Sequence, residues 1–191
     1  MNGAFKTVAS AGFTLFGTAL GCCGISWNAC GIVAVQLPEA SEAKTRARLL
    51  RHCPGAKEMT PPPSVQATID GIVALPCGEA RDLSAIPLDM ARVPAFDRRV
   101  YEVARAIAPG ETLSYGDVAT RLGDPAAARE VGQALGRNPF PVIVPCHRVV
   151  AAGSRLGGFS APGGAATKRR LLAIEAAHAP SLPLFRSGEG H

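Results

Sequence analysis

Ser114-Tyr115-Gly116-Asp117-Val118-Ala119-Thr120-Arg121-Leu122-Gly123-Asp124-Pro125-Ala126-Ala127-Ala128-Arg129-Glu130-Val131-Gly132-Gln133-Ala134-Leu135 decides the fold of the second half of this chain. Ser114 and Asp117 stand at capping-box spacing, and Val118 and Leu122 give a short helix its buried side. Gly123-Asp124-Pro125 is a turn whose Asp can cap and whose Pro suits a first helical position. A second helix then runs from about Ala126 to Leu135, with Ala127, Val131 and Leu135 inward. Two short helices joined by a tight Gly-containing turn form a helix-turn-helix pattern, which also serves ordinary helical hairpins. The outer face of the second helix carries Ala126, Arg129, Gly132 and Gln133. One long cation among small residues suits close approach to a groove wall.

Upstream, Phe96, Val100, Val103 and Ile107 recur at helical spacing until Pro109-Gly110 stops them. Downstream, Val142-Ile143-Val144 reads as a buried strand running into Pro145-Cys146-His147-Arg148. A buried Cys is usually inert, and a thiol of pKa near ~8.5 is only slightly ionised at neutral pH. Here His147 can accept a proton, directly or through a water, and Arg148 adds positive charge. On a last helix, about Ala166–Ala177, Glu175 falls on the apolar stripe between Leu171 and Leu172, while Lys168, Arg169 and Arg170 supply the remaining charge. A carboxylate there must be paired, either by backbone N–H groups or as an orienting acid for His147.

The first half reads as α/β. Phe13–Leu20 and Gly24–Gln36 contain β-rich stretches, with Gly21–Gly24 and Asn28–Gly31 as turns. Helices are expected at Ser41–Cys53, capped by Ser41, and at Val65–Leu75. A domain boundary is placed near residue 92, after the Pro-interrupted stretch 77–95. The chain has 191 residues, 47% hydrophobic, with formal net charge +5. Residues 1–89 are net neutral and residues 90–191 hold the whole excess, which points to a polyanion contact on the C-terminal side. The six cysteines include no CxxC pair, against a zinc ribbon or thioredoxin-like motif, and form no disulfide framework; a reducing compartment is expected. Residues 8–23 end in Leu20-Gly21-Cys22, as lipoprotein signals do, but glycines and threonines interrupt them and no signal is expected. No unbroken apolar run is long enough for a membrane span.

Pro145-Cys146-His147-Arg148-Val149 resembles the active-site motif of the alkylguanine-DNA alkyltransferases, the methylated-DNA–protein-cysteine methyltransferases. The likeness extends through Gly110–Gly116, Ala128–Gly132, Arg137-Asn138-Pro139 and Leu171–Glu175, in order and in spacing. It implies that Cys146 accepts an alkyl group from guanine O6, activated through His147, a water and Glu175. Tyr115 would assist flipping of the nucleotide and donate to the guanine. Arg129 would fill the stack, and Asn138 would sit at the turn before the active-site strand. Tyr115, Ala128, Arg129, Gly132, Arg137 and Arg148 would contact DNA, and Pro141, Val149, Phe159 and Ser160 would line the substrate pocket. The family fold implies a ribonuclease H-like α/β domain over 1–92, a winged-helix-like helical domain over 93–178 and a tail over 179–191. The partner implied is duplex DNA with an alkylated guanine, read from the minor groove with the base flipped, by a cytoplasmic monomer without cofactor.

Departures from the family pattern are Phe159 in place of Tyr, Arg170 in place of Trp, and a loop over 157–164 about two residues longer. Asn28 and Val33 stand at two zinc-ligand positions of some relatives, so no zinc is expected. A lesion-binding relative would lack the thiol of Cys146. A helix-turn-helix regulator would leave Glu175 unexplained. A Cys–His hydrolase would need an oxyanion site, and adjacent Cys and His offer none.

Overall fold

The structure is a computed structural model in which residues 11–77, 81–153, 155–161 and 163–178 are described. The expected tail at 179–191 lies outside them. Three antiparallel strands, β1 (Gly12–Thr18), β2 (Gly21–Asn28) and β3 (Gly31–Gln36), form a meander. A short β4 (Lys57–Glu58) joins β1 in parallel, giving the order β3-β2-β1-β4. The first hairpin is fixed by Thr18, whose hydroxyl donates to Gly21 O at 2.9 Å and accepts from Leu20 N at 3.1 Å. The turn is therefore Ala19-Leu20. Gly21–Gly24, expected as a turn, instead opens β2, because Thr18 closes the hairpin before it. At the second hairpin Asn28 Oδ1 accepts from Cys30 N at 2.8 Å, the Asx turn that Asn favours. Gly31 there has φ +136°, and a Cβ on it would meet Pro87 O at 2.4 Å.

Strand alternation divides the apolar residues between the two faces. Phe13 and Ala34 face α1 (Glu42–His52) and bury Leu49. Ser41 caps α1 as expected, accepting from Lys44 N. Ile25, Trp27 and Val35 face the other way, into a core shared with α2 (Pro63–Ala74) and with the second half of the chain. No helix among the described residues is long and apolar enough to cross a membrane. Of the signal-like stretch 8–23, residues 12–23 lie in β1, the Ala19-Leu20 turn and the start of β2.

The helical half contains α3 (Ala95–Arg105), α4 (Tyr115–Arg121), α5 (Ala128–Gly136) and α6 (Gly164–His178), with a parallel pair β5 (Leu113–Ser114) and β6 (Val149–Val150). The capping box is present in both directions: Ser114 accepts from Asp117 N, and Asp117 accepts from Ser114 N. Asp124 caps the turn that carries Pro125, and Ala127, Val131 and Leu135 are buried as their spacing predicts. Buried Tyr101 of α3 donates to Ala134 O of α5 at 2.9 Å and stacks edge-on to Phe140.

One expectation fails here. Val142-Ile143-Val144 is buried but is not a strand. It forms a tight turn in which Val144 N donates to Phe140 O at 2.8 Å and Val142 takes φ 76°. Asn138 enforces the turn, accepting from Phe140 N at 2.9 Å and donating to Val144 O at 3.0 Å. A left-handed φ is costly for a β-branched residue; the side-chain clamp and the burial of all three residues hold it. The two halves meet at this turn, where Val35 N of β3 donates to Pro139 O at 2.8 Å. Arg170 of α6 reaches back to Ala19 O at 3.0 Å.

Candidate active site

Cys146, His147 and Arg148 form one 3-10 turn after Pro145, so Cys146 leaves the Asn138-clamped turn with its backbone fixed. Cys146 N donates to Val144 O at 2.8 Å. The residue is 7% exposed, enough to be reached and too little to be solvated. Burial pushes the thiol pKa up, while the Asn138 amide, the Lys168 charge and neighbouring backbone N–H groups pull against it.

His147 is fully buried, with Nε2 2.9 Å from Glu175 Oε1 of α6. Burial drives its pKa down despite Glu175, so the ring is neutral near pH 7. For Glu175, burial works to raise the pKa. The hydrogen bonds from His147 and Arg148 overcome it and pull the carboxyl down to about 2. A neutral ring beside a carboxylate places its proton on Nε2, donating to Glu175. The lone pair is then on Nδ1, which is buried and has no partner among the described residues. That atom is a base available to a proton donor such as the adjacent thiol.

Arg148 does not face outward as a DNA contact would. It is 8% exposed; its Nε and Nη2 hold Glu175 at 2.8–3.2 Å, and Nη1 caps Ile107 O at 2.5 Å. The buried carboxylate drew it in, since such a charge needs a cation. Arg137, also expected at DNA, spends Nε and Nη2 on buried Asp97 of α3 at 3.0 Å each, although its side chain is 55% exposed.

The sequence reading missed one residue. Lys168, counted there only among the charges of the last helix, is fully buried, with Nζ donating to Val149 O at 2.6 Å and Gly158 O at 3.3 Å and lying 5.7 Å from the centre of the Tyr115 ring. The signal was available: Lys168, Leu171 and Glu175 fall at offsets of zero, three and seven, one stripe of α6. Tyr115, first residue of α4, donates to Gly158 O at 3.4 Å. Burial and the neighbouring Cys146 raise its pKa, keeping the hydroxyl protonated as a donor. Gly157, at φ +67°, lets the 157–160 loop lie on this ring, since a Cβ would come within 3.0 Å of it.

Two cavities reach Cys146. One, about 540 Å³, opens along α5 and is lined by Tyr115, Ala128, Arg129, Gly132, Phe159 and Ser160, which gathers six of the residues singled out from sequence. Arg129 is exposed on its wall. The other, about 300 Å³, lies toward the sheet half and adds Asn138 and Pro141. Phe159 and Ser160 border both. Val149 lines neither; it is fully buried and contributes its carbonyl to Lys168. No group of three or more His, Cys, Asp or Glu among the described residues is placed to hold a metal ion. Asn28, at a position where some relatives carry a zinc ligand, donates to Asp89 at 2.6 Å.

Residues 95–177 match a family model described as the DNA-binding domain of 6-O-methylguanine DNA methyltransferase. Among curated proteins, the methylated-DNA–protein-cysteine methyltransferase of Mycobacterium bovis is 40% identical over 145 residues, 74% of this chain and 86% of that protein. That of Methanothermobacter thermautotrophicus is 32% identical over 152 residues, 80% of this chain and 78% of that protein. Among solved structures, the O6-methylguanine methyltransferase of Mycobacterium tuberculosis superposes with a TM-score of 0.72 at 30% identity, covering 90% of this chain and 96% of that one. The same organism's OGT in complex with DNA gives 0.69 at 30% identity, covering 88% and 94%. With a mixed α/β fold of small sheet and helical half, a Cys–His–Glu cluster and these relatives, the chain belongs to the methylated-DNA–protein-cysteine methyltransferase family.

Proposed function

We propose that this chain repairs DNA by direct reversal, moving an alkyl group from guanine O6 to its own Cys146 in a single turnover. The observation that carries the reading is Cys146 at the floor of a cavity along α5, beside a buried His147–Glu175 pair whose free nitrogen can take a proton. The thiol proton passes to His147 Nδ1, directly or through a water. The sulfur attacks the alkyl carbon, the C–O6 bond breaks and the guanine takes up a proton, with the Tyr115 hydroxyl as its hydrogen-bond donor. The thioether has no route back to the thiol, so each chain acts once. No soluble donor enters this balance.

The target atom lies inside the duplex, so the nucleotide must be turned out at a cost of a few kcal/mol. Arg129, exposed at the mouth of the cavity, is assigned to the space the base leaves. Ala128 and Gly132, small residues beside it, let α5 press against the minor groove. The sheet order and the α4–α5 helix-turn-helix support the ribonuclease H-like and winged-helix-like descriptions, with the boundary near residue 92. A cytoplasmic monomer working without cofactor completes the reading. Arg148 and Arg137 are reassigned: Arg148 holds Glu175, and Arg137 holds Asp97 while remaining partly exposed.

Stoichiometry tests this. Excess O6-methylguanine duplex mixed with the protein alone should yield guanine in a burst equal to the chains present, then stop. The chain mass should rise by one methylene, roughly 14 Da, mapped to Cys146. Sustained turnover, a need for a methyl donor, or an adduct on another cysteine would defeat the reading.

Arg129→Ala should slow repair in duplex about tenfold while leaving transfer from free O6-alkylguanine base within about twofold, because only a stacked base has a stack to leave. Equal slowing on both substrates would make Arg129 structural. Lys168→Met should raise the Cys146 thiol pKa further and slow transfer about tenfold at neutral pH, with rate recovered as pH rises, because a charge that favours the thiolate is gone. A titration of the thiol that does not move would leave Lys168 only as the anchor of the Val149 and Gly158 carbonyls.

A further inference from the structure

The 300 Å³ cavity has a chemistry of its own. It reaches Cys146 from the sheet side, and α1 gives it Arg48 and His52. With Arg137 these place two guanidinium groups and an imidazole on its wall, and no carboxylate lines it. The remaining wall mixes apolar Leu37, Pro141 and Phe159 with the polar side chains of Gln36, Asn138 and Ser160. Each guanidinium has a carboxylate partner that does not line the cavity: Asp97 takes Nε and Nη2 of Arg137, and Glu39 takes Nη1 of Arg48 at 3.1 Å. Arg48 has five N–H donors. Its side chain is 47% exposed, and the ion pair with Glu39 engages one end of the fork.

Displacement at carbon requires sulfur, carbon and O6 to lie near one line. Any further part of the alkyl group must therefore leave that line sideways. With the guanine in the cavity along α5, the space on the other side of the thiol is this second cavity, which shares Gly136, Cys146, Phe159 and Ser160 with the first. Resting on the reading of Cys146 as alkyl acceptor, we propose that the second cavity is the subsite for the alkyl chain beyond the transferred carbon. Arg48 there selects chains that end in a carboxylate. A volume of about 300 Å³ holds a chain of about four to six heavy atoms with room for water. The chemistry balances as for methyl: the S–C bond forms, the C–O6 bond breaks, the guanine takes the proton, and the carboxylate is unchanged.

The test uses three duplexes carrying O6-methyl-, O6-(3-carboxypropyl)- or O6-(3-carbamoylpropyl)-guanine, with single-turnover rates measured on the full chain. The two longer groups match in shape and differ in charge. The ratio of carboxylate to carboxamide rates should fall about tenfold from wild type to Arg48→Gln, the worth of a hydrogen bond to a charged group. Methyl transfer should stay the same, and Arg48→Lys should keep part of the preference. Adducts should map to Cys146. An unchanged ratio in Arg48→Gln, or loss of both longer substrates together with methyl, would overturn the subsite. Absence of methyl transfer in the wild type would instead remove the alkyltransferase reading itself, and this inference with it.

Discussion

Cys146→Ser should remove alkyl transfer altogether and leave affinity for alkylated duplex within about threefold of wild type. A serine hydroxyl is a far weaker nucleophile at neutral pH, and a neutral His147 in hydrogen-bond contact with Glu175 is a modest base. Sulfur to oxygen is a small change of shape, so the 3-10 turn, the Asn138 clamp and both cavities should persist. In the proposed function binding rests on α5 and on the basic second half of the chain, neither of which the change alters. Gel shift gives the affinity, and mass spectrometry after prolonged incubation gives the transfer. Residual adduct on the folded variant would locate the acceptor elsewhere. Loss of binding without unfolding would mean that the thiol does more than chemistry.

The second large effect is expected from Glu175→Gln, on two axes. Transfer should slow by on the order of a hundredfold, because the amide no longer fixes the His147 tautomer that leaves Nδ1 free. Stability should fall by about 3 kcal/mol, because Arg148 keeps its charge, nearly buried, after its anion is gone. The pH dependence carries the sign. The folded carboxyl sits at about 2 against an ordinary 4.5, so its contribution is complete above pH 4.5 and drains away as pH falls toward 2. Wild type should therefore lose melting temperature across that window more steeply than Glu175→Gln. Parallel curves for the two proteins would show that the carboxylate is not held as described.

Much of the helical half was legible because local chemistry and tertiary demand agree there. The capping box at Ser114 and Asp117, the Asp124-Pro125 turn and the inward Val131 would behave the same way in isolation. Glu175 was legible for the opposite reason, a carboxylate on an apolar stripe that demands a partner. What stayed hidden depends on residues remote in sequence. Val142–Val144 carries the β-branched signature of a strand, and only the Asn138 clamp and the seam with β3 bend it into a turn. Arg148 next to a catalytic motif reads as a cation for phosphate until a carboxylate 27 positions away claims it. Lys168 in a Lys-Arg-Arg run reads as solvated, although its place on the wheel beside Glu175 said otherwise.

The bond from Val35 to Pro139 belongs to a larger fact: one apolar cluster runs from Cys23 of the sheet to Leu171 of α6. For anyone wishing to cut the molecule, this decides where a cut can fall. The sheet half is not a passenger that can be exchanged for a tag or a fluorescent partner, because Ile25, Trp27 and Val35 would leave an unfilled apolar face on whatever remained. A fragment begun near residue 92 would carry every side chain of the relay and lack the wall that keeps it dry. Fusions belong at the chain ends, and a portable version of this chemistry has to travel with both halves.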